Sequence, residues 1–209
     1  MIIDLHTHSV KSDDGRAKVD SYCRWIRKRN VPIDGFVLTE HRQFDDESDY
    51  RGLEDEFGIS ILKGSEVETN YGHVLVFGVN EEMLNTFNFE AIDLKLDEVV
   101  RGAERCGGIA VPCHPGRPTV GMVAHYEARG PVEGIRAIEV YNGGSRAGED
   151  EASQALASEY GYRGIGGSDA HLVSQIGLCA TRFEREILSV AGLVTSLKEG
   201  SFEAVTWRS

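Results

Sequence analysis

The residues best suited to chemistry in this sequence are its histidines, most of which stand where a predicted strand ends. The chain begins MIIDLHTH, so His6 and His8 lie two residues apart at the end of a short apolar run. Residues with this spacing on a strand face the same side. Asp169 and His171 repeat the spacing in GSDAH. Such pairs predict a nitrogen and oxygen donor set suited to zinc, iron or manganese.

Further potential ligands fall at matching points of later segments. They are His41 in LTEH, Glu66 in KGSE, His114 in VPCHP, and His73, which opens a strand; Asp13 and Asp14 lie in the loop after His8. One histidine at a strand end is more often a hydrogen-bonded structural residue than a ligand. Six histidines and several acids at equivalent points instead favour one metal cluster. His125 lies in a predicted helix and is interpreted as structural.

The elements that must position these residues alternate between strand and helix along the chain. Predicted helices cover Lys18–Asn30, Leu94–Cys106, Val120–Ala128, Glu149–Tyr160 and Glu186–Glu199. Predicted strands precede or follow them, and a tight NYG turn joins Ile59–Thr69 to His73–Val79. This alternation predicts a parallel sheet, closed or nearly closed into a small α/β barrel. Active sites of such folds form at the carboxyl ends of the strands.

Bulk properties limit the classes of protein to consider. The 209 residues suit one sizeable core, and the net charge of −12 disfavours long nucleic acid as a partner. The four cysteines form no CxxC pair and no signal peptide is evident, so we expect reduced thiols and a cytoplasmic location. The sequence has no apolar stretch of membrane-spanning length. Because the first ligands lie at the extreme N-terminus, we expect a stand-alone domain.

Taken in order, the motifs DLHTHSVKSDDG, LTEH, KGSEVET, VPCHPGR, IEVYN and GGSDAH resemble the PHP (polymerase and histidinol phosphatase) family. The resemblance runs from Ile2 to about Thr181. It implies an α/β fold, a single-domain distorted (β/α)7 barrel with parallel strands, across residues 1–209. It also implies two or three divalent metal ions and hydrolysis of phosphate esters.

The resemblance further implies a role for individual residues. The first metal would be held by His6, His8, Glu66 and Asp169, the second by Asp13, His41 and His171, and the third by Glu66, His73 and His114. Asp13 is preferred over Asp14 because its distance from His8 matches the family spacing.

Other residues near the motifs have expected roles too. Arg117 in HPGR would clamp the substrate phosphate, with a surface loop arginine as the alternative. Asn142 would orient a ligand or end its strand, and Asp169 or a metal-bound water would protonate the leaving group. Glu139 has at most a supporting role. Cys113 should face the core if its strand continues, because neighbouring strand residues face opposite sides.

The expected activity is that of a metal-dependent phosphoesterase that hydrolyses a small phosphomonoester, with a metal-bridging hydroxide in a di- or trinuclear centre. The expected partner is a small phosphorylated substrate, with no membrane; the oligomeric state stays open. Alternatives are a small-phosphodiester hydrolase or exonuclease-like enzyme, an amidohydrolase, and a non-catalytic metal-binding regulatory domain. The last two rank lower, because Glu66 occupies the place of a carboxylated lysine and the ligand set is complete.

Overall fold

The computed structural model describes residues 1–208, which form nine strands, seven α-helices and one short 3₁₀ turn. The strands are β1 (Ile2–Thr7), β2 (Gly35–His41), β3 (Ser60–Thr69), β4 (Gly72–Phe77), β5 (Ile109–Pro112), β6 (Ala137–Asn142), β7 (Arg163–Gly167), β8 (Cys179–Phe183) and β9 (Phe202–Thr206). The helices are α1 (Val19–Arg29), α2 (Arg51–Phe57), α3 (Glu81–Thr86), α4 (Leu96–Arg105), α5 (Val123–Arg129), α6 (Glu149–Tyr160) and α7 (Val190–Glu199). Each of the five predicted helices is present.

The predicted α7 is four residues too long at its N-terminus. Ser189 is extended, and its hydroxyl accepts a hydrogen bond from the backbone N–H of Gly192. This side-chain cap satisfies one of the free donors of the first turn and sets the helix start at Val190.

Seven strands form one mixed sheet in the order β5–β4–β3–β2–β1–β8–β9, and β6 and β7 form a separate parallel pair. Only β1, β2 and β3 run parallel to one another within the large sheet; its remaining neighbours pair antiparallel. The predicted distorted (β/α)7 barrel with parallel strands is therefore wrong. The fold is of the α/β type, but its main sheet is mixed.

The turn between β3 and β4 explains much of the difference. Only Asn70 and Tyr71 separate the two strands, whereas a parallel connection needs a crossover of a dozen residues or more. The chain must reverse here, and Thr69 pairs with Gly72. This hairpin turns β4 antiparallel to β3, and β5 then pairs antiparallel with β4.

The small β6–β7 sheet lies against β1 and β8. The Thr181 hydroxyl of β8 bonds with both the N–H and the carbonyl of Gly166 in β7. Beyond β7, the Asp169 N–H donates to the His6 carbonyl and the His8 N–H donates to the Ala170 carbonyl. The ends of β1 and β7 therefore lie side by side, which brings two distant ligand pairs together.

Apolar helix faces cover the sheets. In α4 the buried residues Leu96, Val99, Val100 and Ala103 follow helical spacing. The buried Tyr22 of α1 carries its hydroxyl to within 2.7 Å of the His8 carbonyl and 2.8 Å of the Ala170 carbonyl. This core residue thus supports the two segments on which the site is built. Within residues 1–208, none of the helices is both long and apolar enough to cross a membrane.

Candidate metal centre

The N-terminal histidine pair aims two ring nitrogens at one point. The Nε2 atoms of His6 and His8 are 3.1 Å apart, and both rings are fully buried. Both nitrogens also lie close to Glu66 Oε2, at 3.0 and 3.1 Å. Asp169 Oδ1 closes the group at 3.4 Å from His6 and 3.3 Å from His8. These four side chains are the set predicted for the first metal.

Glu66 is the hub of the site because its two oxygens face different partners. Oε2 faces His6 and His8 as described, and also His41 Nδ1 at 3.2 Å. Oε1 faces His73 Nδ1 at 2.8 Å and His114 Nε2 at 3.2 Å. The pairing of β2 with β3 places His41 directly beside Glu66. The carboxylate therefore stands between two groups of imidazoles, a geometry that suits a bridging ligand.

A third group lies toward the cluster's open side. His171 Nε2 is 3.0 Å from Asp14 Oδ2, and His41 Nε2 is 3.5 Å from the same oxygen. Asp13 is 69% exposed and pairs instead with Arg42 at 2.9 Å. The structure thus places Asp14, and not Asp13, beside the two histidines.

The rings of the first group are held from behind by acceptors. His6 Nδ1 donates to Glu139 Oε1 at 3.1 Å, while Glu139 Oε2 accepts from the His114 N–H at 2.7 Å and from Asn142 Nδ2 at 2.8 Å. A carboxylate behind a ligating histidine fixes the tautomer and strengthens the ligand. Glu139 therefore occupies the supporting position that the sequence allowed it. The sequence contained one signal for this role: Glu139 is a charged residue inside an apolar strand, and buried charges are almost always paired.

His8 is fixed through a hydroxyl. Ser12 Oγ donates to Glu40 Oε2 at 2.6 Å, so its oxygen can accept from His8 Nδ1 at 3.2 Å. In both His6 and His8 the proton is thereby directed to Nδ1, which leaves the Nε2 lone pair free. Sequence reasoning did not single out Ser12.

Electrostatics at the centre favour positive charge. Burial disfavours charge on His6, but Glu139, Asp169 and Glu66 outweigh it and hold the pKa of the ring well above its ordinary value. Burial would also raise the pKa of Glu66, yet His6, His114 and His73 hold it well below its usual range. At His114 burial dominates and lowers the pKa. The field that retains a proton on His6 would equally attract a metal cation.

Backbone strain concentrates at the site. Arg42, His114 and Asp169 have φ angles of 54°, 32° and 53°, a region that residues other than glycine rarely adopt. Arg42 directly follows β2, and the other two lie two residues beyond β5 and β7. Strain of this kind persists only where the surroundings impose it, and it gathers at functional sites.

A cavity of about 850 Å³ opens beside Asp14, Asp169 and His171. Arg16, Arg117 and Arg146 also line it. Arg117 Nη2 donates to Asp169 Oδ2 at 2.9 Å and to Asn142 Oδ1 at 3.0 Å. Of the two predicted substrate-binding residues, Arg117 therefore lines the cavity, whereas Asn142 is buried and contacts Arg117. His125 lies outside the cluster and faces the Thr119 carbonyl.

The donor set fits divalent metal ions. Four groups of three or four ligand atoms lie within 4.8 Å of one another, and His6, His8, Glu66 and Asp169 form one of them. Nitrogen ligands at 2.0–2.1 Å from a tetrahedral ion are roughly 3.4 Å apart, close to the spacings found here. The nitrogen-rich sets match zinc, iron or manganese better than magnesium.

Comparison with known proteins agrees with this chemistry. Residues 149–202 match the model of the PHP_C family, described as PHP-associated, and this segment contains Asp169 and His171. The resemblance to the PHP family is confirmed. Three solved structures share the PHP-like fold over nearly the whole chain, at identities that establish the fold alone.

PsfC from Pseudomonas syringae is 20% identical with a TM-score of 0.70, and the match covers 98% of this chain and 91% of PsfC. A Bifidobacterium adolescentis protein, proposed to be a metal-dependent phosphoesterase, is 15% identical with a TM-score of 0.61, covering 95% and 96%. The lesion-specific endonuclease Q of Pyrococcus furiosus is 14% identical with a TM-score of 0.70. That match covers 97% of this chain but spans only 57% of the endonuclease.

The exclusion of long nucleic acid on the basis of net charge is contradicted. Endonuclease Q shares this PHP-like fold, and an endonuclease acts within nucleic acid chains. The inference failed because the total charge of −12 says nothing about its distribution. Three arginines and three carboxylates line the cavity beside the centre, so their charges balance there although the whole chain is strongly acidic.

Proposed function

We propose that this chain is a metal-dependent phosphoesterase whose ions are held around Glu66. One observation carries the proposal: the two Glu66 oxygens face separate groups of imidazoles, with Asp169 closing one group. When bound, divalent ions neutralise phosphoryl oxygens and lower the pKa of water, which supplies a nucleophile near neutral pH. Similarity to PHP proteins and to a proposed metal-dependent phosphoesterase supports the same class.

Three ion positions follow from the groups. The first uses His6, His8, Glu66 and Asp169, and the third uses Glu66, His73 and His114, as the family resemblance implies. For the second we propose Asp14 with His41 and His171, because Asp13 points to Arg42.

Arg117 is the proposed phosphate clamp. It lines the cavity and has a guanidinium that can bind two phosphoryl oxygens at once. Asn142 and Asp169 orient it. The two Asp169 oxygens face the first group and Arg117, so its proposed role is to bind metal and orient Arg117. Protonation of the leaving oxygen then falls to water.

The leading substrate class is a phosphomonoester. A cavity of about 850 Å³ lies within the ~300–1,000 Å³ range of small-molecule sites and admits one phosphorylated compound beside the centre. One domain over residues 1–209 and a cytoplasmic location stay part of the proposal. The four cysteines, all free within residues 1–208, fit a reducing compartment.

A phosphodiester is the second candidate, and a specific feature favours it. A second cavity of about 360 Å³, lined by His41, Arg42 and His73, opens on the other side of Asp14. Asp14 lines both cavities, so a chain could leave the centre in two directions. Endonuclease Q, with the same fold, provides a precedent for acting on nucleic acid.

Chelator-treated protein should be reconstituted with Mn²⁺, Zn²⁺ or Fe²⁺ and assayed on p-nitrophenyl phosphate and bis-p-nitrophenyl phosphate. We expect metal-dependent turnover with monoester preferred, reduced at least about 100-fold in His6→Ala and Asp169→Ala. His125→Ala is the matched control, because this histidine lies outside the cluster. Diester preference would replace the leading substrate class with the second. Metal binding without turnover of either ester would refute the proposed phosphoesterase activity and favour a metal-binding domain.

A further inference from the structure

Cys113 packs in the apolar core, as strand alternation predicts, but its sulfur also reaches the metal centre. β5 ends at Pro112, and the next residues leave the strand pattern. Cys113 still donates its N–H to the His73 carbonyl, but His114 has a φ of 32°. This left-handed residue turns the chain, so the consecutive side chains of Cys113 and His114 both reach Glu66.

The sulfur joins the group around one carboxylate oxygen. Cys113 Sγ is 3.3 Å from Glu66 Oε1, which also receives His114 Nε2 at 3.2 Å and His73 Nδ1 at 2.8 Å. His6, Glu66, Cys113 and His114 offer ligand atoms within 4.8 Å of one another, and all four residues are buried. The Nδ1 atom of His114 is buried without a hydrogen-bond partner within residues 1–208.

A hydrogen bond from the thiol to Glu66 would be the simplest role for this residue. A hydroxyl would serve that role better, because a thiol is only a weak donor. A thiolate has a different use: soft sulfur ligands select zinc over harder ions such as manganese. The spacing of sulfur, nitrogen and oxygen around Oε1 suits a shared ion, since zinc binds sulfur at about 2.3 Å and imidazole at about 2.0–2.1 Å.

We propose that Cys113 is a sulfur ligand of the ion on the Oε1 side of Glu66, beside His114. The inference rests on the metal centre proposed above and extends it. It makes this position selective for thiophilic metals, whereas the position at His6 and His8 has nitrogen and oxygen ligands only. Binding of the ion displaces the thiol proton to solvent, as metal binding to cysteine requires.

Cobalt(II) tests the proposal directly, because a cobalt–thiolate bond adds a charge-transfer absorption in the near ultraviolet. The chelator-treated wild type should show this band on loading with cobalt(II). Cys113→Ser should lose it, while the visible cobalt bands of the remaining site persist. The same variant should lose zinc affinity about tenfold or more, with manganese affinity little changed. Serine keeps a donor to Glu66, so only the sulfur is removed.

Cys179→Ser is the matched control and should keep the band. Cys179 is equally buried, but its sulfur contacts Thr206. A cobalt-loaded wild type without the band, or a band that persists in Cys113→Ser, would overturn the proposal. Manganese-dependent hydrolysis of p-nitrophenyl phosphate should be measured on separate portions of the same chelator-treated preparations. Turnover without the cobalt–thiolate band would refute only the role of Cys113 as a ligand. The band without turnover would refute only the phosphoesterase activity. Failure of the wild type to bind cobalt overturns both.

Discussion

Gly167, the last residue of β7, leaves no room for a side chain behind His6. A Cβ added there would lie 2.4 Å from the Cβ of His6 and 2.5 Å from Glu139 Oε1. Ordinary contact begins at 3.4 Å, so Gly167→Ala must displace His6 or the β7 backbone by about 1 Å (3.4 − 2.4 Å). Metal–ligand distances tolerate about 0.2 Å. We therefore expect metal affinity to fall roughly 10–100-fold and the free energy of unfolding to fall by about 1–3 kcal/mol.

Isothermal titration of Mn²⁺ or Zn²⁺ into chelator-treated protein measures the affinity, and urea unfolding without metal measures the stability. Gly52→Ala in α2 is the matched control, because an added Cβ there meets nothing within 4 Å. It should leave metal affinity unchanged and raise stability by up to about 1 kcal/mol. Wild-type metal affinity in Gly167→Ala would show that the position of His6 does not determine binding.

Three further changes test other parts of the site and fold. The carboxylate of Glu139 accepts hydrogen bonds from three donors. In Glu139→Gln the amide N–H must face at least one of these donors, so titration should show metal affinity reduced about 10–100-fold. An unchanged metal affinity would show that Glu139 does not support metal binding. Asp14→Asn should lower the metal content per chain after dialysis, whereas Asp13→Asn should not; the reverse would restore Asp13 as the ligand. Burial alone would raise the pKa of Asp45, but the Lys11 ammonium and neighbouring hydrogen bonds lower it to about 2. Its ionised form therefore stabilises the fold above about pH 4 and loses this effect as the pH falls toward 2. Asp45→Asn should cost roughly 1–2 kcal/mol at pH 7, and urea unfolding that shows the same loss at pH 2.5 would contradict this sign.

The side chains predicted at strand ends do lie together in the structure. Residues spaced two apart, such as His6 and His8, must share a face of a strand, and this local geometry holds whatever the sheet topology. Glu66 joins them because β2 and β3 run parallel beside β1. These relations depend on short-range periodicity and on parallel neighbours, both of which the sequence displays.

The global topology needed information that periodicity does not contain. The short link at Asn70 and Tyr71 already indicated an antiparallel hairpin, yet counting strands and helices favoured a parallel barrel. The pairing of β8 with β1 joins residues far apart in sequence. No local pattern encodes which strand becomes its neighbour.

Asp14 and Cys113 depend on backbone details that residue spacing cannot predict. Gly15 packs so tightly that an added Cβ would lie within 1.9 Å of the Ser9 carbonyl oxygen. This tight loop decides which of the two adjacent aspartates faces His171. At Cys113 the left-handed turn of His114 ends the alternation on which the inward or outward assignment rests.

In the proposed centre, Glu66 lies between two metal positions. Anomalous diffraction from zinc-loaded crystals, recorded on both sides of the zinc absorption edge, locates such ions without reference to activity. We predict one peak on the Oε2 side, beside His6 and His8, and a second on the Oε1 side, beside His73 and His114. A peak beside only one oxygen of Glu66, or beside neither, would contradict this bridging position.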